Sequence, residues 1–164
     1  MSYAIVTMPA TVLRSTAAKV TNFGSNELKS LIDTLFSIMK EKNGVGIAAP
    51  QIGISQSVFV YGFNSSPRYP GVPGVPLGVA INPEIISQSE ETNDFQEGCL
   101  SVPYKRGTVS RSSIVTFKYQ DFDGAMHEKT LHDFAARIVL HEIDHLNGIL
   151  YIDRAKQVRD SELI

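Results

Sequence analysis

Between residues 27 and 42 apolar side chains recur at Leu28, Leu31, Leu35, Ile38 and Met39, with Ile32 alongside, which is the spacing of one helix face. Ser25 stands where an N-cap belongs, and Asn43-Gly44 where a helix stops. The pattern then changes. Residues 57–63, 79–87 and 113–120 are rich in β-branched and aromatic side chains and predict strands. Asp123-Gly124 supplies a turn, and residues 126–131 predict the returning strand of a hairpin. A second helix is predicted to start after Asp133, as N-cap, and to run to Asn147 with Gly148 as its stop. On it Phe134, Ile138, His141 and His145 fall at i, i+4, i+7 and i+11, so the histidines continue an apolar stripe. These elements predict an α+β class, with antiparallel sheets packed around that buried second helix and the first helix near the N-terminus.

Residues 62–78 hold four of the eight prolines and four of the twelve glycines. They read as a long surface loop rather than an interdomain linker, because the chemically distinctive residues lie on both sides and have to converge. A length of 164 residues fits one domain spanning 1–164. The net charge of −2 argues against nucleic acid as a partner, and Lys105, Arg106 and Arg111 read as a solvated strand edge. No apolar run is long enough for a membrane span, and residues 1–6 lack the features of a signal peptide. With Cys99 as the single cysteine, no disulfide framework is possible, and a cytoplasmic location is expected.

The chemistry concentrates in three segments. His141-Glu142-Ile143-Asp144-His145 is an H-E-x-x-H sequence. Four residues apart on a helix, two imidazoles can grip one ion, and the glutamate beside them can move a proton of a bound water. Two core histidines satisfied by backbone carbonyls would give the same stripe, without the glutamate in register. A catalytic centre of this kind needs a third ligand. Only nineteen residues follow His145, none of them histidine, and Glu162 sits near a frayed end. Cys99, in Gln96-Glu97-Gly98-Cys99-Leu100-Ser101-Val102-Pro103, is the better candidate, since thiolate is a strong ligand for zinc or iron. The third segment, Gly44-Val45-Gly46-Ile47-Ala48-Ala49-Pro50-Gln51-Ile52-Gly53, offers a closely approachable backbone and one amide donor, Gln51. It is not a phosphate loop: its glycines follow a helix, and no lysine completes it.

In this order the three segments resemble the signature of peptide deformylases, and the likeness extends to Pro9–Arg14 and Asn82-Pro83. The resemblance implies removal of the formyl group from N-terminal formyl-methionine of newly made polypeptides, with release of formate. It implies one divalent ion per chain, held by Cys99, His141 and His145. Fe²⁺ is the family's usual ion, with Zn²⁺, Ni²⁺ or Co²⁺ also accepted. Water activated by that ion would attack the formyl carbon. Glu142 would act as general base and acid, and Gln51 and the Leu100 N–H would stabilise the oxyanion. Substrate would lie extended beside Val45 and Gly46, with Gly98 also contacting it. Val45, Phe95, Phe134, Ile138 and the edge of His141 would line the methionine pocket. Glu97 and Arg111 would pair to brace the cysteine segment.

Three positions depart from the family pattern: Leu140 replaces a frequent glutamine, His132-Asp133 a Ser-Gly type entry to the helix, and Tyr104 a frequent glycine. Ribosome proximity is implied, but docking by a long C-terminal helix is not expected from so short a tail. The competing readings are another H-E-x-x-H metallopeptidase with a downstream acidic ligand, and a deformylase-like module that binds peptide without turnover.

Overall fold

Helix α1 (Asn26–Glu41) begins as Ser25 predicts, its hydroxyl accepting the Leu28 N–H at 3.1 Å. The helix ends before Asn43, whose φ of 55° breaks the right-handed path. In the computed structural model, which describes residues 3–162, the six apolar positions of its stripe are all buried. They pack against Ile47, Ile52, Val58, Val60 and Ile81. Residues 1–2 and 163–164, the ends of the span 1–164, lie outside the described residues.

The fold is α+β with antiparallel sheets. The larger sheet runs in the order β1 (Gly46–Ala48), β2 (Val58–Phe63), β3 (Val75–Gln88), β6 (Ile114–Gln120) and β7 (Met126–His132). The smaller sheet runs β4 (Thr92–Cys99), β5 (Val102–Ser112) and β8 (Gln157–Asp160). None of the three strands of the smaller sheet carries a readable period. Residues 92–96 of β4 and all of β8 are exposed, so no alternation of apolar residues marks them. β3 starts four residues earlier than the pattern suggests, because Gly78 admits the Tyr61 ring at a distance no Cβ would tolerate. The remaining loop is not wholly at the surface: Ser66, Arg68 and Tyr69 are buried.

Helix α2 (Asp133–Leu146) starts one residue earlier than predicted. His132 occupies the N-cap without a side-chain capping bond, and Asp133 is the first helical residue, at a left-handed φ of 52°. One face of α2, with Ala136, Val139, Leu140, Ile143 and Leu146, packs on Phe59, Tyr61, Ala80, Val115 and Phe117 of the larger sheet. Its polar side chains Arg137, His141 and Asp144 bond instead to β4 and β5, so the helix touches both sheets. The short α3 (Tyr151–Arg154) covers the smaller sheet, where Leu150 and Tyr151 pack with Cys99, Val102 and Val109. Among the described residues, no helix is long and apolar enough to cross a membrane.

Candidate active site

His141 and His145 stand one turn apart on α2, their ring centroids 5.0 Å from each other. Cys99, the last residue of β4, brings its Sγ to 3.3 Å from His145 Nε2. One donor atom from each of Cys99, His141 and His145 falls within 4.8 Å of the others. His141 Nδ1 donates to Glu97 Oε1 at 2.8 Å, so that in the neutral imidazole the lone pair is on Nε2. This soft-to-borderline set of one sulfur and two imidazole nitrogens fits zinc or ferrous iron. Among the described residues, Glu142 Oε1 and His145 Nδ1 are buried without a hydrogen-bond partner. A cation between the Cys99 sulfur and the two imidazoles would take up the lone pairs that these apposed donors turn towards one another.

Glu142 is 3% exposed. Burial pushes its carboxyl up to about 7, and a cation close by would favour the carboxylate. Burial alone would raise Glu97 as well, but hydrogen bonds from His141 and Arg111 outweigh it and hold that carboxyl well below the usual range. Arg111 binds Glu97 through Nε at 2.6 Å and Nη2 at 3.0 Å, and reaches Asp144 with Nη1 at 3.0 Å. The basic stretch is therefore not a solvated edge: Arg106 and Arg111 are 5% and 6% exposed, and Lys105 pairs with Asp160 outside.

Gln51 lies in the 3₁₀ turn Ala49–Ile52 and is fully enclosed. Its Oε1 accepts the Ala48 N–H at 2.9 Å, which orients the amide so that Nε2 faces Ser101 Oγ at 3.2 Å and Cys99 Sγ at 3.5 Å. The cavity at this centre is lined by Val45, Gly46, Gln51, Glu97, Gly98, Cys99, Leu100, Phe134, Ile138, His141 and Glu142. Of the remaining predicted residues, His145 and Arg111 are buried but do not line the cavity. Phe95 sits at the rim, 37% exposed, its ring 5.5 Å from that of Phe134.

Three residues of the cavity wall have no counterpart in the sequence reading: Arg68, Tyr69 and Arg137. Tyr69 packs on Phe134 at 5.0 Å, and its hydroxyl accepts the Gly98 N–H at 3.1 Å. An aromatic residue inside a Pro/Gly stretch is weak notice of such a role. Arg137 was more legible, as a cation one turn before His141 on a buried helix.

An α+β fold whose buried helix and sheet edge bring together two histidines, a cysteine and an enclosed glutamate defines a metallohydrolase class. The polypeptide deformylase family model matches residues 2–161. The chain is 43% identical over 143 residues to peptide deformylase 1 of Nitrosomonas europaea, covering 87% of this chain and 81% of that protein. It is 41% identical to peptide deformylase 2 of Nostoc sp., covering 93% and 85%. A Met-Ala-Ser-bound class I type b peptide deformylase from Acinetobacter baumannii superposes with a TM-score of 0.90 at 43% identity, covering 94% of this chain and 98% of that one. The chain belongs to the polypeptide deformylase family.

Proposed function

We propose that the protein hydrolyses the formyl amide of N-formylmethionyl peptides, releasing formate and the free amino terminus, and that residues 1–164 act as one catalytic domain built around α2. The single observation that carries this reading is the convergence of Cys99, His141 and His145 within 4.8 Å beside the enclosed Glu142. It is supported by the Met-Ala-Ser ligand of the Acinetobacter enzyme, whose sequence is that of a deformylated N-terminus.

Cys99, His141 and His145 would hold a divalent ion, Fe²⁺ by family resemblance, which would supply Lewis acidity and lower the pKa of water. The chain's own residues do the rest. The backbone of Val45, Gly46 and Gly98 holds the peptide extended, and Phe134 and Ile138, with Phe95 at the rim, receive the methionine side chain. Gln51 Nε2, oriented through Ala48, and the Leu100 N–H donate to the oxygen on which negative charge develops. Glu142 takes a proton from the attacking water and returns it to the leaving nitrogen. Glu97 and Arg111 hold His141 in the tautomer that leaves Nε2 free. A lone thiolate ligand of this kind is best preserved in a reducing compartment such as the cytoplasm.

The test is amine and formate release from formyl-Met-Ala-Ser by anaerobic, iron-loaded protein, with acetyl-Met-Ala-Ser and unblocked Met-Ala-Ser as comparators. Release from the formyl peptide alone is expected. Equal attack on internal peptide bonds would indicate a metallopeptidase, and binding without release a non-catalytic module.

A further inference from the structure

The Glu97 carboxylate accepts four charged or imidazole donors, and they arrive from two different parts of the fold. Arg111 reaches it from β5 with Nε and Nη2, and His141 Nδ1 takes Oε1. The fourth donor is Arg137, whose Nη1 lies 2.6 Å from Oε2. Arg137 is 3% exposed and sits on α2, four residues before His141. From there it makes three further bonds to the smaller sheet: Nη1 to Val109 O at 2.9 Å, and Nη2 to both Asn93 O and Asn93 Oδ1 at 2.7 Å.

Two arginines cross between the smaller sheet and α2, one on each side of His141. Arg111 and Glu97 belong to the same sheet, so their pair stiffens the β4 segment that ends in Cys99, and Arg111 crosses to α2 through Asp144, three residues beyond His141. Arg137 and His141 belong to the helix, so their bonds to Glu97 and Asn93 run across the helix–sheet gap. The proposed donor set is split across that same gap, Cys99 on the sheet and both histidines on the helix. An ion gripped from both sides requires the gap to be held constant.

Charge points the same way. Arg111, Arg137 and Arg154 share two carboxylates, with Arg111 and Arg137 on Glu97 and Arg111 and Arg154 on Asp144. A buried cation is costly unless its donors find acceptors, and Arg137 finds four, one of them a carboxylate and all on β4 and β5.

We propose that Arg137 is a positioning residue: it clamps α2 to β4 and β5 through Glu97 and Asn93, and so presets the separation between Cys99 and the two histidines that an ion needs. The inference rests on the metal-site reading above. Arg137 acts on the ion only through Glu97 and the helix, and it does not touch the reacting atoms.

The test measures zinc affinity of the full chain by competition with a chromogenic chelator. The variants are Arg137→Met, Arg137→Gln, Glu97→Gln and the Glu97→Gln/Arg137→Met double variant. Loss of a residue that orients ligands costs roughly 10–100-fold in metal affinity, and that loss is expected for either folded Arg137 variant. Because Arg137 works through Glu97, its substitution should cost much less in the Glu97→Gln background than alone. Arg137 also walls the cavity, so KM is expected to shift whatever its role, and affinity for zinc is the deciding quantity. Wild-type zinc affinity in a folded Arg137→Met or Arg137→Gln protein would overturn the proposal, as would full additivity in the double variant. Failure of the wild-type protein to bind zinc would sink the metal-site reading instead.

Discussion

Glu142 occupies space that only a glycine at position 46 leaves open: a Cβ there would stand 2.8 Å from Glu142 Oε2 and 3.0 Å from Ile138 Cγ2. The strand edge proposed to hold the peptide and the carboxylate proposed to move its protons are thus in direct contact. Gly46→Ala is expected to leave metal content unchanged and to lower kcat on formyl-Met-Ala-Ser by about 10²-fold, the scale of effect of an ångström-sized displacement. Wild-type kcat in the metal-loaded variant would show that Glu142 does not need its present position.

Cys99→Ser is expected to keep the fold and lose tight metal binding. The side chain is small and buried, so the change disturbs packing little, while a neutral hydroxyl is a poor ligand beside thiolate. Metal analysis after dialysis, with circular dichroism alongside, checks both halves. Stoichiometric metal retained at unchanged affinity would remove Cys99 from the site.

Glu142→Ala should do the opposite. All three donors remain, so metal stays, but the proton carrier is gone and turnover should fall by roughly 10²–10⁴-fold. A variant that turns over at the wild-type rate would exclude general acid–base work by this residue.

The two ends of the Gln51 amide have different partners, so Gln51→Ala should produce two separable losses. Without Oε1, the enclosed Ala48 N–H loses its acceptor, a destabilisation of about 1–3 kcal/mol visible as a lower Tm. Without Nε2, the oxyanion loses a donor, which typically costs about 10²–10³ in kcat with a smaller change in KM. A lower Tm with intact kcat on the folded, metal-loaded fraction would reduce Gln51 to a turn cap.

Tyr104, where glycine is frequent in the resembled family, has a φ of 62° and is 54% exposed. An L-residue pays strain there and gains little burial in return, so Tyr104→Gly should stabilise the protein by about 0.5–1 kcal/mol. Chemical denaturation measures it, and a lower midpoint would mean that the exposed ring contributes contacts outweighing the strain. Asp133, the second departure at a helix entry, has the same left-handed backbone at 52°.

What the sequence determined by itself was whatever repeats or lies close along the chain. The stripe from Leu28 to Met39 declared α1 because burial of one helix face imposes a 3.6-residue period, and the H-E-x-x-H spacing put both histidines on one side of α2 through the same geometry. The short segments around Gln51, Cys99 and His141 named the chemistry because such reactions need particular side chains in local register. What only the tertiary structure decided was long-range and polar. β4, β5 and β8 form a sheet through backbone pairing that leaves no apolar period to read. Arg106 and Arg137 look like surface cations in a string of letters, and Arg111 gained its Glu97 partner there only through the family resemblance. They are buried because Glu97, the Arg68 carbonyl and Asn93, distant along the chain, arrive to accept their protons. A buried charge is tolerated only where its partners converge, and convergence belongs to the fold rather than to the spacing of residues.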